Sequence, residues 1–175
     1  MNDLIINKKP RTYIPQDLKM EWESLSPILD ELLKREINNV EELEKWLKDK
    51  SELEAALEEN FAWRYIKMSC DTSNEALVKD FQYFATEIEP KISPLANELN
   101  KKLNDSPFID ELDHDKYFVY IRAVKKSLEL YREENIGLFT QLQVTEQKYQ
   151  GITGLMSVTI NGQEHTLEQA ANFLK

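Results

Sequence analysis

The chain has 175 residues, 41% of them hydrophobic and 31% charged, which suits one soluble domain or slightly more. Lys and Arg number 22 against 32 Asp and Glu, a net charge of −10 that argues against non-specific nucleic-acid binding and disfavours anionic membrane surfaces. Three Trp, seven Tyr and seven Phe are too much apolar material for a disordered chain, and only four Gly and six Pro favour helices over turn-rich β folds. A lone cysteine, Cys70, excludes an internal disulfide and fits a reducing compartment. The run Leu4-Ile5-Ile6 is too short for a signal-peptide core, and no stretch approaches the ~20 apolar residues of a membrane span. A cytoplasmic location is expected.

Residues 1–16 read as an irregular lead-in, with Pro10 and Pro15 resisting regular structure and Lys8, Lys9 and Arg11 solvated. Asp17 is the expected N-cap of a first helix carrying Trp22, Leu25, Leu29 and Leu32, which Pro27 should break or kink. Asn39 can cap a short helix through Lys48. Ser51 and Glu54 have the spacing of a capping box, which predicts a separate helix from there to about Cys70. Leu53, Leu57 and Phe61 form one stripe of it, and Ala62, Ile66 and Cys70 the next.

The longest periodic run is Leu77, Phe81, Phe84, Ile88, Ile92, Leu95, Leu99 and Leu103, in steps of 4, 3, 4, 4, 3, 4 and 4. Pro90 and Pro94 fall within it. The pattern predicts one bent helix, or two nearly coaxial ones, jointed between Glu89 and Pro94, with both halves facing one core. A second long helix is expected from Asp115 to Asn135, its buried face carrying Tyr117, Tyr120, Ile121, Val124, Leu128 and Tyr131, with Gly137 as its stop. Another should cover Leu138 to Tyr149, ended by Gly151 and Gly154. Ser157–Ile160, Asn161-Gly162 and Gln163–Thr166 have the signature of a β-hairpin, and Thr166 with Gln169 makes a capping box for a helix through Leu174. The fold class expected is mainly α: an elongated antiparallel helical bundle with a small C-terminal β-hairpin. Residues 17–150 form the helical part and 151–175 the hairpin and following helix. The pattern stops at Lys175 without a cap or polar tail, as a piece of a longer protein would.

Chemistry-bearing residues are sparse. A hydrolytic zinc needs three protein ligands, and its usual helical device is His-Glu-x-x-His. The two histidines, His114 and His165, stand 51 positions apart, and neither begins that pattern. His165-x-x-Glu168 starts an inverted motif, but Gln169 occupies the place of the second His. Glu111-x-x-His114 matches one half of a di-iron helix motif that needs two. Cys70, in register with Ile66, reads as a small buried thiol rather than a nucleophile. Gly151-x-x-Gly154 lacks the Lys-Ser/Thr of a phosphate loop. Glu133 and Glu134 beside Arg132 are adjacent, point apart on a helix and read as a solvated face. The aromatics Phe61, Trp63, Tyr65, Phe81, Tyr83 and Phe84 read as core. No catalytic, cofactor-binding or metal-ligating residue is assigned.

Four stretches carry a family resemblance. They are Phe61-Ala62-Trp63-Arg64-Tyr65-Ile66-Lys67-Met68-Ser69-Cys70-Asp71-Thr72 and Phe84-Ala85-Thr86-Glu87-Ile88-Glu89-Pro90-Lys91. Tyr131-Arg132-Glu133-Glu134-Asn135-Ile136 follows, with Glu146-Gln147-Lys148-Tyr149 and Gly151-Ile152. The last is Gly162-Gln163-Glu164 with Thr166-Leu167-Glu168-Gln169-Ala170. In this order they resemble the N-terminal region of bacterial oligoendopeptidase F-type zinc metallopeptidases, relatives of thimet oligopeptidase. The resemblance covers nearly all of residues 15–174. It implies a helical peptidase with a deep channel, whose separate catalytic domain holds zinc through a His-Glu-x-x-His helix and a later Glu. It further implies that this chain is a non-catalytic channel wall, inactive alone. Its partners would be its own C-terminal catalytic domain and an oligopeptide substrate. The rival reading is a stand-alone helical interaction module, and a homodimer is expected if an apolar face is left uncovered. A di-iron bundle is a third reading, disfavoured by the ligand count.

Overall fold

The structure, a computed structural model, describes residues 11–174; Lys8, Lys9 and Pro10 lie outside them. Its elements in chain order are α1 (Trp22–Lys34), α2 (Val40–Cys70), α3 (Glu75–Tyr83), a π-helical segment (Phe84–Ile88), α4 (Glu89–Asn104), a 3-10 turn (Ile109–Glu111), α5 (His114–Leu130) and α6 (Asn135–Gly154). They are followed by β1 (Ser157–Ile160), β2 (Gln163–Thr166), α7 (Leu167–Ala170) and a 3-10 turn (Ala171–Leu174). The fold is mainly α with a small antiparallel C-terminal hairpin, as its periodicities predict. The chain forms two compact units. Among the described residues, 11–60 and 94–131 make the first, and 61–93 and 132–174 the second.

In the first unit, residues 11–21 are irregular and α1 begins at Trp22 behind Glu21. Asp17 therefore does not cap α1. Pro27 does not break it either. A proline at the sixth helical position deletes one backbone bond, while Leu25, Leu29 and Leu32 are buried along one stripe. Each such leucine contributes about 1.5–3 kcal/mol by leaving water, comparable to the proline's cost of about 3 kcal/mol.

The last turn of α1 leaves carbonyls without intrahelical partners. Lys102 Nζ donates to the carbonyls of Leu32 (2.9 Å), Leu33 (2.8 Å) and Arg35 (2.5 Å), and Trp46 Nε1 also donates to Leu32 O at 2.9 Å. A cation at a helix C-terminus also meets the negative end of the macrodipole. Burial, with the nearby positive charge of Arg35, lowers the Lys102 pKa below the ordinary lysine value. Arg35 itself bonds Glu31 and Asp49.

Asn39 caps α2 as expected, its Oδ1 accepting from the Glu42 amide at 2.8 Å. The expected break before Ser51 is absent, and α2 runs unbroken to Cys70. Ser51 is exposed inside the helix, and Glu54 accepts from Lys50 Nζ instead of closing a capping box. Leu47, Lys50 and Leu53 are all buried across the expected gap, so tertiary packing overrides the local stop signal.

Glu52, also on α2, gathers the irregular lead-in. Its carboxylate accepts from the amides of Thr12, Tyr13 and Ile14 at 2.8–3.0 Å and from the Thr12 hydroxyl. Desolvation by itself would raise its pKa, but these donors outweigh it and hold the carboxyl down at about 2.

The second unit has its own apolar centre. Phe61 stacks on Phe81 (5.5 Å) and Phe84 (5.3 Å), and Ala85, Ile88 and Met68 are buried. Asn74 caps α3 through Oδ1, which accepts from the amides of Ala76 and Leu77. The irregularity expected between Glu89 and Pro94 lies one turn earlier, at Phe84–Ile88, where the Glu89 amide reaches back to Phe84 O. Pro90 cannot donate and its ring crowds the carbonyl four residues back, so the wider π turn ahead of it relieves that clash. The long stripe does not face one core. Its residues through Ser93 belong to the second unit and those from Pro94 to the first.

α5 ends at Leu130 rather than Asn135, because Tyr131 turns extended. α6 starts at Asn135 and carries Gly137 and Gly151 inside it, so neither glycine is a stop. Gly154 is its last residue, where an added Cβ would stand 3.2 Å from Thr72 Oγ1. The hairpin is as expected, with Ser157 opposite Thr166 and positive φ at Asn161 (54°) and Gly162 (79°). The Thr166–Gln169 capping box is present, although the helix gives way to a 3-10 turn after Ala170.

Lys102→Met should destabilise the chain by about 1–3 kcal/mol, because it strips a charged donor from three part-buried carbonyls. Urea unfolding of the variant beside the parent chain measures this. Glu52 has a folded pKa below its unfolded value, so its stabilisation is full above about pH 4.5 and is lost as the pH falls toward about 2. Glu52→Gln should therefore flatten the acid limb of stability in that window, as followed by denaturation at successive pH values.

Candidate functional site

The residues singled out for chemistry do not converge. Glu111 closes the 3-10 turn and His114 opens α5 behind the Asp113 cap, so the two share no helix face. The His114 ring lies 4.8 Å from that of Phe118, and its Nδ1 is 3.6 Å from Asp115. His165 sits on β2 with its ring 5.0 Å from Phe173, in the other unit. Glu168 and Gln169 belong to α7, where Gln169 is occupied by the capping box. Among the described residues, no group of three or more His, Cys, Asp or Glu is placed to hold a metal ion.

Two buried readings are corrected. Cys70 is exposed at the end of α2, together with Ala62 and Ile66, so the second stripe of that helix is not core. Trp63 (51% exposed), Tyr65 and Tyr83 are also at the surface, and only Phe61, Phe81 and Phe84 of the aromatic set build the core. A 3.6-residue period cannot tell a face that meets protein from one that meets water.

In the first unit, an open groove of about 790 Å3 follows α5 and the turn before it. Its apolar floor includes Ile109, Leu112, Phe118 and Val119, and Arg122, Lys125 and Lys126 stand along its side. The Arg122 guanidinium lies 5.5 Å from the Phe118 ring centre. A second groove of about 790 Å3 runs between α2 and α5, where Lys116 Nζ meets Glu44 at 3.1 Å. Beside it Lys50 is buried, its ammonium bonded to Glu54 and to Tyr120 Oη at 2.9 Å. Burial alone would lower the Lys50 pKa, but the two partners raise it, so the group stays charged.

The opposite faces of α5 explain both grooves. Tyr117, Tyr120, Ile121, Val124 and Leu128 are more covered, as their spacing predicts, and Phe118, Val119, Arg122 and Lys125 point outward. Sequence inspection passed over the outward set. Its signal is Phe118, Arg122 and Lys125 in steps of four and three, a second stripe on the same helix.

The model of the Peptidase M3 N-terminal domain family matches residues 18–131. The chain belongs to this family. The match begins in the irregular stretch before α1 and ends just after α5, so the grooves lie inside it. The M3 N-terminal domain is thus the N-terminal part of a thimet oligopeptidase-like peptidase, and helical as such a part is expected to be. α6, the hairpin and α7 lie beyond the matched stretch. Comparison with curated proteins and with solved structures gives no match. No helix among the described residues is long and apolar enough to cross a membrane.

Lys50→Met is the informative substitution at the second groove. It removes the donor to Glu54 and Tyr120 while keeping the volume, so the buried charge and its desolvation penalty vanish together. The expected change in stability is within about 1.5 kcal/mol in either direction. Lys50→Ala, which leaves a cavity as well, should cost about 2–4 kcal/mol in the same urea titration.

Proposed function

We propose that this chain is the non-catalytic N-terminal part of a cytoplasmic zinc metalloendopeptidase of oligoendopeptidase F type. In this reading it forms part of the wall of a channel that admits oligopeptides. The observation that carries the reading is the match to the Peptidase M3 N-terminal domain over residues 18–131.

The described residues do not fit a hydrolytic zinc. His114 is packed on Phe118 in one unit and His165 on Phe173 in the other, and each lacks further donors grouped around it. The zinc of the proposed enzyme would be held by a catalytic part outside this chain, and would there activate water against a peptide carbonyl. The contribution of this chain is restricted to surface. Open grooves with apolar floors and polar sides suit an extended peptide, whose side chains alternate between apolar contact and solvent.

The exposed apolar residues of α6, among them Leu138, Phe139 and Leu142, favour a neighbouring body in the complete enzyme. The same residues would serve a stand-alone interaction module, and a second copy could cover them.

The purified chain should not hydrolyse a quenched oligopeptide, with or without added zinc. Turnover that co-purifies with the chain and stops on adding a chelator would overturn the assignment as a non-catalytic wall.

A further inference from the structure

The groove along α5 combines two features that the first unit does not use for its own stability. Its floor exposes large apolar side chains, Phe118 at 46% and Val119 at 65%. Its side carries two exposed cations. Arg122 lies over Phe118, Lys125 follows one turn on, and neither meets a carboxylate among the described residues. Lys126, by contrast, is held by Glu129 at 2.8 Å.

The charge of α5 sets it apart. It carries Lys116, Arg122, Lys125 and Lys126 against Asp115 and Glu129, a balance of +2 in a chain whose net charge is −10. Cations left unmatched on so acidic a protein attract a carboxylate, and an adjacent apolar floor selects one attached to an apolar group. Arg supplies a planar fork for carboxylate oxygens, and Lys a point charge beside it. Asp110 and Glu129 also line the groove, so its excess of positive charge is small. That favours a single carboxylate over a polyanion such as nucleic acid.

We propose that this groove is a subsite for the C-terminal end of a peptide. The last apolar side chain rests on Phe118 and Val119, and the terminal carboxylate is received by Arg122 and Lys125. The proposal rests on the peptide-channel reading and names where one end of the peptide is held.

The test is titration of the whole chain with acetyl-Ala-Ala-Leu-Leu as the free acid and as the C-terminal carboxamide, followed by calorimetry and by amide chemical shifts. The acid should bind about tenfold tighter than the amide, with shifts centred on α5. The preference should shrink as salt is added. The double variant Arg122→Gln, Lys125→Gln should lose it with unchanged thermal unfolding, because both side chains are exposed. Equal binding of acid and amide would overturn the subsite and leave the peptide-wall reading standing. A preference that persists in the double variant would place the carboxylate elsewhere and overturn it too. Binding of neither peptide would overturn the subsite and count against the channel reading as well.

Discussion

The carbonyls of Leu32, Leu33 and Arg35 end α1 in a part-buried setting, next to the fully buried side chains of Leu32 and Trp46. Left alone, each would carry the desolvation penalty of an orphan acceptor. Lys102 answers all three from α4, and Trp46 adds a donor from α2. One ammonium thus ties together helices that are distant in sequence, and its stem lies near the Trp46 ring, with Nζ 5.7 Å from the ring centre. The first unit is organised around this capture. Arg35, just beyond the helix end, extends it by joining Glu31 on α1 to Asp49 on α2.

The same device recurs around it. Glu52 collects three amides of the irregular lead-in, and Lys50 brings Glu54 and Tyr120 to one buried charge. In each case a long charged side chain from a helix satisfies groups that no regular element pairs. The second unit relies instead on stacked rings, with Phe61, Phe81 and Phe84 against one another. The π turn at Phe84–Ile88 reconciles Pro90 with helical backbone on both sides of it.

Membership of the Peptidase M3 N-terminal domain family gives the chain its place in the N-terminal part of a peptidase. Its long charged side chains hold the lead-in, α1, α2, α4 and α5 together. The outward stripe of α5 adds exposed Phe118 and Val119 beside Arg122 and Lys125.

The residues alone determined the helical class, the Asn39 cap, the Asn161-Gly162 hairpin and the Thr166–Gln169 capping box, because each is decided within four or five neighbouring positions. The sequence also carried the inward stripe of α5 and the family. Tertiary structure decided the rest. Ser51 sits in a helix and not before one, because burial of Leu47, Lys50 and Leu53 outweighs a capping signal of about 1 kcal/mol. Ile66, Trp63 and Cys70 are exposed although their spacing matches that of core residues, since periodicity defines a face but not what covers it. The partners of Lys102 and Glu52, and the pairing of Lys50 with Tyr120, were equally invisible, because contacts 38 to 70 residues apart depend on how helices pack and leave no local pattern.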